Sequence, residues 1–271
     1  MELTPDQEAP GLSFGLDAGV LRLRFDRPDR RNALTRPMMK RLVGHVEDAV
    51  DDPQIRVIVI DGAGEHFCSG ADLRAVNATQ DTKPRAGDIQ RRLPRQAHRL
   101  ISALLDVQLP VVSVVRGVAG GIGAHIALAS DFIVAGQSTR FVEPFVARGF
   151  TPDSGGTFLL TRLVGLARAR QVLLLGQEID AETAERWELV HQVVPDAELG
   201  AASGALVETL RAAPTIAYGL TKSLMNRAFD VSTADALSNE AFALELSSRS
   251  KDFKEGMAAF AERRSPQYKG H

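Results

Sequence analysis

The stretch Phe67–Leu73 reads F-C-S-G-A-D-L and comes shortly after a β-branched run, R-V-I-V-I-D at Arg56–Asp61. A second glycine-rich stretch, R-G-V-A-G-G-I-G-A-H at Arg116–His125, follows the apolar run Val111–Val115. Such runs are typical of strands buried on both faces, and glycine permits sharp turns directly after them. Two turns of this kind can aim two backbone N–H groups at one point, as an oxyanion hole does. The pair therefore predicts an α/β core with an oxyanion hole at its strand ends.

The rest of the N-terminal part alternates between strand-like and helix-like patterns. Val20–Phe25 alternates like a half-exposed strand. Strands that alternate with helices need crossover connections, so this rhythm predicts a mainly parallel sheet. The further segments are predicted as helices at Pro37–Asp51, Gly87–Asp106 and Gly123–Ser130 and as a strand at Phe132–Ala135.

The pattern becomes mainly helical after Thr151. Only Val190–Val194 resembles a strand there, and no Pro/Gly/Ser-rich linker separates the two halves. We therefore expect an α/β core over residues 1–200 and a helical region, packed on that core or on a neighbouring subunit, over 201–271. The predicted helices are Gly155–Val164, Leu166–Leu175, Ala181–Glu188, Ala197–Ala212, Pro214–Phe229, Thr233–Ser250 and Phe253–Arg264.

Composition narrows the class of protein. The 271 residues are 44% hydrophobic and 24% charged, with a net charge of −2, which argues against a nucleic-acid surface. Cys68 is the one cysteine, so an intrachain disulfide is impossible and a reducing, cytoplasmic setting is expected. The most apolar stretch, Gly117–Ala135, includes His125 and Asp131, so no membrane span is expected.

Several familiar catalytic motifs are absent from the sequence. H-E-x-x-H, C-x-x-C and G-x-x-x-x-G-K-[ST] do not occur, which argues against a usual zinc site and a phosphate loop. Ser69 and Ser154 lack the flanking glycines of G-x-S-x-G, which argues against serine hydrolysis at these segments. No metal is therefore expected. Gly121 and Gly123 begin a dinucleotide pattern, but Ile126 stands where its third glycine would be.

A third polar and glycine-rich segment, F-T-P-D-S-G-G-T-F-L-L, covers Phe150–Leu160. A helix is predicted to begin within it, which places Asp153 at or just before the helix start. Aspartate at that place is either an N-cap or a functional carboxylate, and the sequence leaves both interpretations open.

These three segments together resemble the enoyl-CoA hydratase/isomerase (crotonase) superfamily. R-P-D-R-R-N-A-L-T at Arg27–Thr35 is similar to its CoA-contacting segment, and F-C-S-G-A-D-L and R-G-V-A-G-G-I-G-A-H to its two oxyanion turns. P-D-S-G-G-T is similar to its third active-site segment. Gly176–Val194 resembles its helix-then-strand stretch, and Glu255–Arg264 its C-terminal CoA-lid helix.

The resemblance implies a crotonase (ClpP-like) spiral of ββα units with a helical C-terminal region, assembled as a homotrimer or a dimer of trimers. Residues 1–200 would be its acyl-CoA-binding core, and residues 201–271 would serve for trimerisation or as a lid. The N–H groups of Ala71 and Ile122 would hold the thioester oxygen of an acyl-CoA, with no cofactor besides that thioester. Phe260 would reach the nucleotide end across a subunit boundary, although core packing is an equal alternative for it. The implied CoA-contacting residues are Arg31, Ala33, Ser69, Asp72, Leu73, Arg74, Phe260 and Arg263.

The sequence departs from the hydratases of this family at both of their catalytic glutamates. The two positions hold His125 and Phe145. Glu143 lies close by but is expected to be an exposed loop carboxylate. Asp153 stands where many hydratases have glycine, which resembles a subset that includes ring-epoxide and Δ3-Δ2 enoyl-CoA isomerases and 4-chlorobenzoyl-CoA dehalogenase.

Isomerisation needs one base that removes a proton and returns it two carbons away, and Asp153, partly withdrawn from water, could supply it. His125 is either a satisfied buried histidine or a general acid/base at a catalytic position. A hydratase or another lyase or hydrolase that uses His125 with Asp153 is the alternative, and dehalogenation is disfavoured because the chain is only 6% aromatic. A non-catalytic acyl-CoA-binding or protein-interaction member is the alternative from another class. Cys68 is expected to be a buried filler, and Asp72 to hold the first turn through nearby amides.

Overall fold

Parallel strands rich in β-branched residues form the centre of the computed structural model, which describes residues 1–72 and 85–271. The strands are β1 (Thr4–Pro5), β2 (Leu12–Asp17), β3 (Val20–Phe25), β4 (Val57–Gly62), β5 (Val111–Val115), β6 (Val118–Gly120), β7 (Phe132–Gly136), β8 (Arg140–Val142), β9 (Ile179–Asp180) and β10 (Gln192–Val194). The helices are α1 (Arg36–Asp48), α2 (Asp88–Arg92), α3 (Ala97–Asp106), α4 (Ile122–Leu128), α5 (Gly156–Leu175), α6 (Ala181–Arg186), α7 (Leu199–Arg211), α8 (Thr215–Arg227), α9 (Thr233–Ser247) and α10 (Lys251–Glu262).

The larger sheet has the strand order β1-β2-β3-β4-β5-β7-β10. From β3 onward all neighbours are parallel, whereas β1 and β2 join as antiparallel edge strands. The smaller sheet, in the order β6-β8-β9, lies beside the strand ends that carry the second glycine-rich turn. The mixed α/β architecture with a parallel centre agrees with the sequence-based prediction.

The central strands are buried on both faces, as the β-branched runs predict. Ile58 and Ile60 face a core that includes Leu100 and Leu104 of α3. The alternate residues of the same strands form a second core under α7, which includes Val57, Val59, Val112, Val134, Val207 and Leu210. Two faces of one strand can be apolar only where helices cover both sides of the sheet.

One predicted helix differs from the sequence expectation, and the helices around Gly165 agree with it. The segment predicted as one helix over Gly87–Asp106 is divided into α2, a 3-10 turn at Leu93–Arg95 and α3. Pro94 lies at this break because proline lacks the N–H that a continuous helix needs. The two helices predicted on either side of Gly165 are confirmed: α5 consists of two helical segments that meet at a kink at that glycine, whose φ is 77° and ψ 162°.

The prediction of a single strand after Thr151 is wrong, because β9 pairs with β8 in addition to β10 on the larger sheet. β8 and β9 have three and two residues and are too short to show an alternating pattern. Among the described residues, the structure contains no helix that is both long and apolar enough to cross a membrane.

The C-terminal helices differ in how much apolar surface they bury. α7 packs on the sheet, but α9 has no buried residue and exposes Leu237, Phe242, Leu244 and Leu246. An exposed apolar face of this extent is typical of a surface that another chain covers.

Lys222 joins α8 to the core through a buried cation. Its Nζ donates to the carbonyl oxygens of Leu104 (2.9 Å) and Leu109 (3.2 Å) and lies 2.9 Å from Oδ2 of Asp131. Burial raises the pKa of Asp131 although Lys222 opposes this, and burial lowers the pKa of Lys222 although Asp131 opposes that. The pair is therefore held against a desolvation cost and depends on both partners being present.

Lys222→Met is expected to lower the free energy of unfolding by about 3 kcal/mol, because it leaves the buried Asp131 carboxylate without its cation. Urea unfolding at a fixed protein concentration measures this. Lys254→Met on the exposed face of α10 is the matched control and should change stability by less than about 0.5 kcal/mol. Equal effects of the two substitutions would contradict the assigned role of Lys222.

Candidate active site

The first glycine-rich turn leaves β4 and is anchored by an aromatic pair. The ring of Phe67 packs edge-on against Phe25 at 5.3 Å between centroids. Gly70 has a φ of 111°, which favours glycine and allows the chain to reverse there. The Leu34 N–H donates to the Gly70 carbonyl and the Asp72 N–H to the Leu34 carbonyl, so the segment runs parallel to Leu34 as a single bridge.

The second turn joins β6 to α4. Gly121 has a φ of 49° and ψ of −123°, and α4 begins at the next residue, Ile122. The Cys68 N–H donates to the Val118 carbonyl (3.1 Å) and the Gly120 N–H to the Cys68 carbonyl (2.8 Å). The two turns that the sequence predicts to act together are thus joined by backbone hydrogen bonds.

Glycine is required at this contact for steric reasons. A Cβ on Gly123 would lie 2.4 Å from the carbonyl oxygen of Cys68, and one on Gly120 would lie 3.0 Å from that of Ser69. Backbone cannot move aside as a flexible side chain can, so these approaches exclude a side chain at Gly123.

Within the described residues, the N–H groups of Ala71 and Ile122 are left without a protein acceptor. The bridge to Leu34 uses the carbonyl of Gly70 and the N–H of Asp72, on either side of Ala71, and Ile122 is the first residue of α4, where an N–H has no intrahelical acceptor. Neither N–H has another acceptor in residues 1–72 and 85–271. Both are therefore available to a ligand.

The residues implied to contact CoA near the N-terminus gather around the first turn. The Ser69 N–H donates to the carbonyl of Arg31 (2.9 Å). Arg27 donates to the Ala33 carbonyl (2.6 Å) and to Oδ2 of Asp72 (2.9 Å). Asp72 therefore contacts a guanidinium, a partner that the sequence did not reveal. Leu73 and Arg74 lie outside the described residues.

Asn32 is a structural residue that the sequence analysis missed. It is fully buried, and its Nδ2 donates to the carbonyl oxygens of Ala63 (2.8 Å) and His66 (2.7 Å). These bonds hold the loop that leads into the first turn. The sequence offered one indication of this role, which is a polar asparagine inside the motif R-N-A-L. A buried amide side chain can donate to two loops at once.

Cys68 behaves as the buried filler that was predicted. It is fully buried, and burial raises the pKa of its thiol to about 12. A thiol of this kind stays protonated and is a poor nucleophile.

His125 lies on α4 with both ring nitrogens occupied. It is fully buried, its Nδ1 is 2.6 Å from Oγ of Ser154, and its Nε2 is 3.0 Å and 3.1 Å from the two carboxylate oxygens of Glu143. Phe145 stacks on the ring at 5.8 Å with an 8° interplanar angle. A Cβ on Gly156, in the first turn of α5, would lie 2.3 Å from Nε2, so backbone closes the remaining side. The satisfied, buried histidine that the sequence left open is what the structure contains.

The expectation that Glu143 is an exposed loop carboxylate is wrong. Glu143 follows β8 directly and is only 6% exposed. Its side chain turns inward because a buried carboxylate needs a polar partner, and His125 supplies one. Glu143, His125 and Ser154 form a buried set that we call the Glu143–Ser154 chain.

Asp153 is exposed and does not cap α5. Gly155 is the N-cap residue, and no side chain caps that helix end. The N-cap interpretation of Asp153 is therefore wrong, and the expected partial withdrawal of its carboxylate from water is not seen in the single chain. Oγ of Ser154 donates to Oδ1 of Asp153 (3.2 Å), and Nε2 of His98 lies 2.9 Å from the Asp153 carbonyl oxygen. Oδ2 has no protein partner within residues 1–72 and 85–271.

Phe260 lies on the last helix, α10, and Arg263 directly follows that helix. Phe260 is 82% exposed, so the alternative of core packing within the chain is wrong. Arg263 ends the helix in a left-handed conformation. No side-chain hydrogen bond or ion pair between described residues joins either residue to the two turns. The described part of the chain also brings together no three His, Cys, Asp or Glu side chains that could hold a metal ion.

Known proteins are similar to this chain in sequence and in fold. The family model described as Enoyl-CoA hydratase/isomerase matches residues 15–271. The 1,2-epoxyphenylacetyl-CoA isomerase of Escherichia coli (strain K12) is 37% identical over 94% of this chain and 97% of its own length. A Rhodobacter capsulatus protein named "Probable enoyl-CoA hydratase" is 33% identical over 96% of this chain and 98% of its own.

The crystal structure of an enoyl-CoA hydratase from Bacillus anthracis superposes with a TM-score of 0.88, at 28% identity, and covers 96% of this chain and 100% of that one. Likeness of sequence and of fold thus extends over nearly the whole length, including the two hydrogen-bonded turns. The chain belongs to the enoyl-CoA hydratase/isomerase family of acyl-CoA enzymes, in the crotonase superfamily.

Proposed function

We propose that this enzyme is an enoyl-CoA double-bond isomerase in which Asp153 carries the proton. The observation that carries the proposal is the state of that carboxylate: Oδ1 is bonded to Ser154, whereas Oδ2 is exposed and has no partner among the described residues. A base that takes a proton from one carbon and returns it to another needs such a free oxygen. The named isomerase from Escherichia coli, among the relatives, is consistent with this choice.

The two turns would bind the negative charge that develops on the substrate during the reaction. Removal of a proton from the α carbon of a 3-enoyl thioester moves negative charge onto the thioester oxygen. We propose that the N–H groups of Ala71 and Ile122 bind that oxygen, since neither has an acceptor among the described residues. Asp153 then returns the same proton two carbons away, which gives the 2-enoyl thioester without a change in mass.

Hydration is the second candidate, because relatives of both names match the chain. It would need a group that activates water. His125 would have to release Ser154 or Glu143 to do so, and Phe145 occupies the second glutamate position with an apolar ring. These contacts favour isomerisation over hydration by His125.

We further propose how the substrate and the assembly are arranged. CoA would lie along Arg31, Ala33, Ser69 and Asp72 and continue over Leu73 and Arg74, with no cofactor besides the thioester. The exposed apolar faces of α9 and α10 would be covered by neighbouring copies in a homotrimer or a dimer of trimers, and Phe260 and Arg263 would reach the nucleotide end of a neighbour's CoA. The single buried Cys68 is consistent with a cytoplasmic setting.

Asp153→Asn is expected to lower kcat for conversion of 3-enoyl-CoA to 2-enoyl-CoA by about 10²- to 10⁴-fold, with CoA affinity nearly unchanged, because the amide cannot accept the proton. Ultraviolet absorbance and mass spectrometry with both substrates measure this. Asp17→Asn, an exposed aspartate at the end of β2, is the control and should retain full activity. Retained activity in Asp153→Asn would sink the isomerase assignment, and a product heavier by one water would establish hydration.

Gly123→Ala is expected to displace the two turns, because the new methyl group would meet the Cys68 carbonyl at 2.4 Å. We expect a loss of kcat of about 10²-fold and of unfolding free energy of about 2 kcal/mol. Gly44→Ala in α1, where a Cβ meets nothing within 4 Å, is the matched control and should raise stability by up to about 1 kcal/mol at constant kcat. Full activity of Gly123→Ala would contradict the proposed role of the contact.

Phe242→Asp is expected to dissociate the oligomer, because it places a charge in the exposed apolar face of α9. Sedimentation velocity measures the change in mass. Gln54→Glu adds the same charge at an exposed polar position before β4, outside the C-terminal helices, and should leave the assembly intact. A wild-type protein that sediments as a monomer would contradict the proposed assembly.

A further inference from the structure

We propose that Glu143, His125 and Ser154 are positioning residues, which hold Oδ1 of Asp153 through one hydrogen-bonded chain and leave Oδ2 as the only atom that exchanges the proton. The proposal rests on the proposed role of Asp153. It goes further because it assigns work to three side chains that do not touch the substrate.

The hydrogen bonds run without a gap from Glu143 through His125 and Ser154 to Asp153, and all of these side chains except that of Asp153 are buried. Glu143 is 3.0 Å from Nε2 of His125, Nδ1 is 2.6 Å from Oγ of Ser154, and that Oγ is 3.2 Å from Oδ1 of Asp153. His125 and Ser154 are fully buried, whereas Asp153 is exposed. The set therefore runs from a buried carboxylate to a solvent-facing one.

The position of one hydrogen, that of the Ser154 hydroxyl, decides in which direction the hydrogen bonds of this set run. The Ser154 hydroxyl carries a single hydrogen, so it can donate either to Oδ1 of Asp153 or to Nδ1 of His125. If Nδ1 carries a hydrogen, it donates to Oγ, and Ser154 must donate to Asp153. In the proposed state Nε2 also donates, to Glu143, and the carboxylate of Glu143 balances the charge of the ring.

Glu143 thus acts on Asp153 from two side chains away. Without its negative charge, a buried ring with hydrogens on both nitrogens would have no counter-charge, and a neutral ring could take the Ser154 hydrogen at Nδ1. A hydrogen bond to a carboxylate favours its charged form. Glu143 and Ser154 are therefore both needed to keep Asp153 ready to accept a proton.

The surroundings contain few competing charges. Among the described residues, two titratable side chains have contacts next to this set: His98 on α3 contacts the Asp153 carbonyl, and the Cys68 thiol lies under Gly123 of α4. The raised pKa of Cys68 keeps it neutral. Phe145 covers one face of the His125 ring and is apolar. Neither titratable group makes a hydrogen bond to the side chains of the set.

The test is the pH profile of kcat/KM for 3-enoyl-CoA isomerisation in Ser154→Ala and Glu143→Gln, measured on the whole protein. In both variants the midpoint of the acidic limb should move to higher pH by about 0.5 to 1 unit. The loss of kcat/KM relative to wild type should therefore be about three- to tenfold larger at pH values below the midpoint than at pH values above it. The shift in the double variant should not exceed that of either single variant, because the two act through one bond.

Two matched variants separate positioning from stability. Ser113→Ala removes a buried hydroxyl that contacts Ser130 at 2.8 Å, and Asp6→Asn removes a buried carboxylate 3.0 Å from Nε2 of His45. Both should lower the melting temperature and leave the midpoint unchanged. An unchanged midpoint in folded Ser154→Ala would overturn the proposal, and that variant, which loses one oxygen atom, decides alone if Glu143→Gln does not fold.

A spectroscopic measurement tests the effect of Glu143 and Ser154 on Asp153 independently of turnover. Carboxyl carbon resonances of ¹³C-labelled aspartate, with Asp153 assigned by its loss in Asp153→Asn, report the titration of this group directly. Its midpoint should rise in Ser154→Ala and Glu143→Gln, and no rise would overturn the proposal. Failure of the proposed function looks different, because Asp153→Asn itself would then remain active.

Discussion

The backbone contact between the two glycine-rich turns is the constraint on which the rest of the site depends. Cys68 exchanges hydrogen bonds with Val118 and Gly120 across it, and a side chain at Gly123 would meet the Cys68 carbonyl at 2.4 Å. Because only backbone atoms make the contact, the positions of the Ala71 and Ile122 N–H groups do not depend on which side chains surround them. A fold of this kind can keep its electrophilic site while the groups that move protons change.

The same contact decides which side chains become available for that second task. It fixes the start of α4, and this helix then carries His125 into the interior, between Glu143 after β8 and Ser154 before α5. The buried side chains therefore come from three separate elements and converge beneath the exposed Asp153. A carboxylate at the surface is in this way joined to a polar set that solvent does not reach.

The sequence predicted the parts of the fold that depend on local pattern. The β-branched strands, the two glycine-rich turns and the order of the motifs were all readable, because each is a continuous run of residues. Glu143 was misjudged since E-P-F reads as a loop, and its burial depends on a ring eighteen residues earlier in the chain. Ser154 was missed for a similar reason, because serine beside glycine is typical of a helix start, and Lys222 was missed because lysine is rarely buried. The break at Pro94, in contrast, had a local signal, since proline inside a helical pattern is itself a warning.

The close fit of Gly156 against His125 links two positions that lie thirty-one residues apart in the chain. The imidazole fills the space that any side chain at 156 would need, so the two residues can be exchanged only together. Glutamate at position 125 would restore the first of the two hydratase glutamates, but it would stand beside Glu143 in a buried site. Two carboxylates so close cannot both be ionised, and one would have to retain a proton. The path from this enzyme to a two-glutamate relative therefore passes through the removal of Glu143.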